Sequence, residues 1–427
     1  MGPIGNSGLQ QTTTYKVVLP FYVYAALSFI LATILLLLNT HLVDEHFFHP
    51  HTLAIVHSMA LGWGTMIIFG ASHQLLPVLI EGKLDSNLLA YLTFIFSGIG
   101  IPFLIVGFYQ FQTGFLLQTG AILVNLGVLC YMTNVLSSIY ESKKHDVHAW
   151  YMGAAALWLF STTFFGLLLV FNFTRQLLPN NSVAYLSIHA HMGLIGWFLM
   201  LVIGVASRLI PMFLISKYDN KKTLWLIFIL INLSLLSFIF LNAINAPSFS
   251  LYLPLLISLI GIVLFARHCY AAYRVRIRKN VDNQMKISLL SVLQMLLPII
   301  ALFIILILLP KGQFSKMGIL YGFSIFFGWL TAIILGMTFK TLPFIVWNKV
   351  YHNKAHAGKT PVPKDLFSEK IYDTMSVVYL VGFLLFLIGI IFSSEFLLKI
   401  GAFALVTSAA LYVSNVFKTL LHQPKRS

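Results

Sequence analysis

The chain has 427 residues, of which 59% are hydrophobic and only 9% charged. Soluble domains carry about 25% charge, so a water-soluble enzyme is excluded and a polytopic membrane protein with room for about a dozen helices is expected. The formal charge of +15 points to no nucleic-acid partner, because its distribution along the chain has a simpler cause.

The opening stretch, MGPIGNSGLQQTTTYK, is polar. It lacks the apolar core of a cleavable signal peptide, and MGPIGN lacks the Ser or Thr of the myristoylation pattern. Twelve apolar runs follow, starting near residues 17, 52, 86, 112, 149, 183, 222, 248, 285, 316, 371 and 396. With the N-terminus placed in the cytoplasm, all 27 Lys and Arg fall on the cytoplasmic side except Arg175, Lys311, Lys316 and Lys399. That is a strong positive-inside bias. It predicts a multi-pass protein of the bacterial-type inner (cytoplasmic) membrane, with both termini cytoplasmic and the lipid bilayer as its main partner.

The first outside loop, HLVDEHFFHPH, gathers His41, His46, His49 and His51 with Asp44 and Glu45. Such a tract can hold copper or zinc loosely; a solvated loop is the more ordinary expectation.

Three of the runs share one pattern: Gly-Trp, six residues, Gly, six residues, Pro. The second run has Gly62, Trp63, Gly70 and Pro77; the sixth has Gly196, Trp197, Gly204 and Pro211; the tenth has Gly328, Trp329, Gly336 and Pro343. The copies are offset by 134 and then 132 residues, four runs each time. The expected fold is therefore an all-α integral membrane domain of twelve transmembrane helices, arranged as three pseudo-symmetric four-helix units spanning about 17–140, 149–275 and 285–420. At about 100° per residue the repeated glycines and proline share one helix face. A neighbouring helix or a flat ligand can approach such a face closely; for the glycines alone, plain helix packing and ligand approach are equal alternatives.

All twelve acidic residues fall in loops or at span edges. A proton pump or ion-coupled carrier commonly places a carboxylate at depth, so both are disfavoured. The titratable groups left well inside are His57, His189 and His191. His57 and His191 each stand five residues before the Gly-Trp pair and are repeat-equivalent; the tenth run has Phe323 there, and Tyr321 opposite His189. Two neutral imidazoles at one depth on related helices suit the axial positions of a haem or a copper ion. A single intramembrane His more often bonds a nearby carbonyl.

His73 is expected to share a cytoplasmic-end layer with Gln74, Arg208 and Lys340 that meets lipid headgroups. Cys130 and Cys269 form no CxxC and no disulfide framework. His145, His148, His268, His352, His356 and His422 lie on the cytoplasmic side and receive no role.

The segment HAHMGLIGWFLMLVIGVASRLIP resembles the haem-bearing helix of haem-copper oxidase subunit I, above all that of the C-type oxidases and nitric oxide reductases. It is also similar to the NnrS family in carrying His-x-His near a glycine-rich helix. The resemblance implies a b-type haem, possession of copper in some members, partners among respiratory-chain or cytochrome subunits, and electron transfer or binding of a diatomic gas (O2 or NO). It implies that His191 and His57 hold a low-spin haem and that His189 serves a second site. The implied cofactor environment includes Gly62, Gly70, Gly196, Gly204, Trp63 and Trp197.

The chain departs from the family. Its His-x-His helix is sixth and not tenth, and the seventh run, LWLIFILINLSLLSFIFLNAI, lacks the His-His pair that completes the copper site. A complete oxygen-reducing oxidase is therefore not expected. The other expectation is a cofactor-free membrane scaffold, a pore, or a copper- or haem-handling protein.

Overall fold

The computed structural model describes residues 13–308, 315–351 and 360–424. Lys311, His352, His356 and most of the polar N-terminal stretch lie outside the described residues. Twelve helices are long and apolar enough to cross a membrane: α1 (Tyr15–Leu38), α2 (Pro50–Leu79), α3 (Asn87–Tyr109), α4 (Phe115–Tyr140), α5 (Val147–Arg175), α6 (Ser182–Leu214), α7 (Lys221–Ala243), α8 (Ser248–Arg274), α9 (Asn283–Leu308), α10 (Ser315–Tyr351), α11 (Glu369–Phe392) and α12 (Glu395–Leu420). No named strand occurs among the described residues; one isolated bridge joins Ser216 to Arg276.

The helix starts follow from side chains that accept the orphan N–H groups of a first turn. Ser86 opens α3, Asp146 opens α5, Asp282 opens α9, Ser368 opens α11 and Ser394 opens α12. Two of the acids, Asp146 and Asp282, are thus spent on helix caps, and Asp373, in the second turn of α11, stands furthest along a spanning helix and is exposed. Pro298 removes the N–H that would bond to the Gln294 carbonyl, and α9 breaks at Met295.

The three helices bearing the Gly-Trp pattern form the centre. In the most apolar stretch of α2, α6 and α10, 78% of residues are buried; in each of the other nine helices the share is 50% or less. The outer helices turn apolar stripes outward, as in Leu226, Ile229, Leu233, Leu236 and Phe240 of α7. A face of that size with no covering element suits a lipid bilayer.

The repeated glycines pack each central helix against a neighbour. A Cβ on Gly62 would lie 2.8 Å from Ser28 of α1, and one on Gly196 would lie 2.6 Å from Trp158 of α5. Gly70 meets Phe21 in the same way, and Gly204 meets Tyr151. The central helices are joined by their tryptophans: Trp197 Nε1 of α6 donates to Thr65 Oγ1 of α2 (3.0 Å), and Trp63 Nε1 of α2 donates to Thr331 Oγ1 of α10 (3.1 Å). Thr65 and Thr331 each stand three residues after the repeat glycine, where α6 has Leu199.

A further recurrence joins α3 to α4 and α11 to α12. Asn134 of α4 accepts from Ser86 N (3.0 Å) and donates to Ser86 O (2.8 Å). Asn415 of α12 does the same to Ser368 (2.8 and 3.1 Å). In α8, 134 residues beyond Asn134, the place is held by His268, buried against Tyr218 with the Ser207 backbone beside its ring and no hydrogen bond of good geometry at either nitrogen.

Candidate functional site between the second and sixth helices

Each central helix contains a wider turn of π type: Ser58–Thr65 in α2, Met192–Leu199 in α6 and Ser324–Trp329 in α10. These segments begin immediately after His57, His191 and Phe323, the three equivalent positions. π turns leave backbone groups displaced from the α ladder and recur at functional sites. In α10 the displaced Phe327 and Gly328 carbonyls are reached by the Tyr379 hydroxyl (2.9 and 2.8 Å).

The residues at the three positions sit alike. His57 lies against Phe108 of α3 and His191 against Phe238 of α7, each with ring centroids 4.5 Å apart; Phe323 lies against Phe386 of α11 at 4.6 Å. His57 Nδ1 bonds the Leu53 carbonyl at 2.7 Å, and His191 Nδ1 bonds the Ser187 carbonyl at 2.7 Å. A neutral imidazole held this way carries its lone pair on Nε2, the arrangement common to histidine ligands of metals.

The structure brings His57 together with His189. Their ring centroids are 6.5 Å apart and their planes differ by 20°. Two imidazoles bound at about 2.0–2.1 Å per bond set their ring centres roughly 6.4 Å apart when they face each other in line across one ion, and roughly 5 Å apart at a tetrahedral angle. Both rings line one cavity of about 180 Å³, walled by α2 through α6 and reached by Phe326 of α10. The lining is overwhelmingly aliphatic and aromatic, and His189 is buried there with the Thr162 backbone beside its ring and no hydrogen bond of good geometry at Nδ1. Gly166 of α5 makes the room: a Cβ on it would lie 2.7 Å from His189 Cε1. The donor set suits a transition metal ion or the iron of a haem, but a cavity of about 180 Å³ is little larger than the roughly 150 Å³ that takes benzene, so a porphyrin enters only if the wall side chains move apart.

His191 is not among the cavity-lining residues. Its ring faces Phe238 and, at 5.8 Å, Tyr321 of α10. That pair is the counterpart of His57 and His189 one repeat further on, with a phenol in place of the second imidazole. Trp197 lines the cavity, whereas Trp63 stacks on Phe29 of α1 at 4.5 Å. Gly62, Gly70, Gly196 and Gly204 lie at the helix contacts described above and not on the cavity wall. Gly166, Phe108 and Phe198 belong to the site, and nothing in the sequence marked them, since each sits unremarkably in an apolar run.

The remaining candidates take structural places. His49 accepts from His51 N at the start of α2, and His51 bonds Asn39 (2.9 Å) while stacking on Tyr109 at 4.0 Å. Asp44 accepts from Ser393 Oγ at 3.0 Å. Among the described residues no three His, Cys, Asp or Glu side chains gather closely enough to share a metal ion. His73 does not face lipid headgroups: it is 1% exposed, packed against Phe21 and Tyr131, with both ring nitrogens unbonded. Lys340 is paired with Asp282, which also pairs with Arg278 at 3.0 Å.

Comparison of the sequence with protein-family models and with curated proteins gave no match.

Proposed function

We propose that the chain holds a b-type haem between α2 and α6, with His57 and His189 as its ligands, and serves electron transfer or the binding of a diatomic gas. The observation that carries this reading is the pair of imidazoles, from two related helices, facing one apolar cavity at a spacing suited to a shared metal ion. Neither cysteine stands in a motif that attaches haem covalently, which favours the b type. When bound, the iron supplies one-electron chemistry and an affinity for small diatomics.

The chain's own residues do the rest. The Leu53 carbonyl fixes the tautomer and orientation of His57. Gly166 admits the ring of His189. Phe108, Leu104, Val124 and Leu194 exclude water, which strengthens electrostatic interactions at the site and limits side reactions.

The reading extends to the whole chain. The repeated tryptophan–threonine bonds, the repeated Ser–Asn contacts and the three wide turns support a threefold array of four-helix units. The charge distribution supports an inner-membrane location with both termini cytoplasmic. A water-filled pore finds less support, because the space between the central helices is lined mainly by apolar side chains.

The test is the optical spectrum of the purified protein with its haem content per chain. A Soret band that falls at least tenfold in His57→Ala and in His189→Ala supports the proposal. No Soret band in the unmodified protein, reconstituted with haem, overturns it.

A further inference from the structure

A second cavity, of about 90 Å³, lies further along α2, α6 and α10 and is closed on one side by Tyr22 of α1. On α2 the outer cavity is lined as far as Thr65 and the inner one begins at Ile67; on α6 they change over between Phe198 and Leu201; on α10, between Phe326 and Leu330. The linings change over within two to four residues on all three helices, at the level of Gly64, Phe198 and Leu330.

Phe198 is the plug at that level. A Cβ on Gly64 would lie 2.8 Å from Phe198 Cε1 and 3.2 Å from Leu330 Cδ2, so the ring rests on bare backbone of α2. Phe326 meets the same ring edge to face at 6.2 Å. Gly64, Phe198 and Phe326 come one from each of the three wide-turn segments. The barrier thus stands where all three helices return to α register, the part of each backbone least committed to one ladder.

The inner lining excludes most ligands. It holds no charged side chain, and three of its four hydroxyls are engaged: Tyr22 with Thr341 (2.9 Å) and Thr338 with Tyr412 (3.1 Å); the fourth is Ser72, beside Tyr131. An apolar cavity of about 150 Å³ stays dry and takes benzene or xenon. One of 90 Å³ suits an atom or diatomic molecule and is small for an aromatic ring.

We propose that the inner cavity is a binding site for a small apolar gas, and that displacement of Phe198 connects it to the histidine-lined cavity. This requires no cofactor and stands or falls apart from the haem proposal. The experiment is xenon pressurisation of crystals of the full chain, read by anomalous scattering. Xenon is expected in both cavities of the unmodified protein. Ala206→Phe, which fills the inner cavity, should abolish the inner peak and leave the outer one. Phe198→Ala should add a xenon position between Gly64 and Leu330. The proposal is overturned by an inner cavity without xenon in the unmodified chain, by a lipid acyl chain occupying it, or by an inner peak that persists in Ala206→Phe. The connection through Phe198 is overturned if Phe198→Ala keeps two peaks with nothing between them.

Discussion

At the scale of single residues, the account turns on which face each histidine takes. His189 and His191 are two residues apart, about 200° around an α-helix, so one ring facing α2 obliges the other to face elsewhere. The sequence shows that the two diverge, and repeat equivalence matched His57 to His191. Repeat equivalence in the sequence pairs like positions on different helices, however, and does not say which of them face each other across one cavity. In the structure His57 meets His189, while His191 meets Tyr321. The cost of disturbing the neighbouring contacts is calculable. Trp63→Phe removes the bond to Thr331, and interhelical bonds in membranes contribute about 0.6 kcal/mol on average and up to about 1.7. A small fall in the thermal unfolding midpoint is expected. Gly204→Val, by contrast, drives a branched side chain into Tyr151, and little folded protein should be recovered on size-exclusion chromatography.

At the scale of elements, the helices were the legible part. Each of the twelve apolar runs begins within a few residues of a helix start in the structure, because bilayer thickness and capping side chains together fix where a span can begin. The wide turns were not legible: His57, Ser58 and Met59 look like any helical run, and the π register arises from contacts made by other helices. The Ser–Asn contacts offer a direct test. Asn134→Ala and Asn415→Ala each strip two backbone groups of their partners, and an unsatisfied buried polar group costs about 1–3 kcal/mol. Both variants should unfold at clearly lower temperature. His268 holds the corresponding place in α8 with no hydrogen bond of good geometry at either ring nitrogen. His268→Asn is therefore expected to raise the unfolding midpoint, and a lowered midpoint would show that the imidazole has a partner that outweighs the restored amide.

At the scale of the whole molecule, the arrangement of charge and the central position of α2, α6 and α10 are two expressions of one design. The central helices carry the repeat and His57, His189 and His191 and border both cavities; the outer nine turn apolar faces outward, as a bilayer requires. Topology can be checked in a chain whose Cys130 and Cys269 are replaced by serine. A cysteine at Lys143 should react with an impermeant maleimide only in inverted vesicles, and one at Asn180 only in intact cells. The reverse pattern would invert the orientation inferred from the 27 basic residues.

The central claim is that His57 and His189 grip one iron. Electron paramagnetic resonance of the oxidised, haem-loaded protein tests it most directly, because two imidazole ligands give a low-spin ferric signal. The account predicts a low-spin signal that converts to high spin in His189→Ala and survives in His191→Ala. A signal unchanged in His189→Ala but lost in His191→Ala would contradict it and assign the iron to the other histidine of α6.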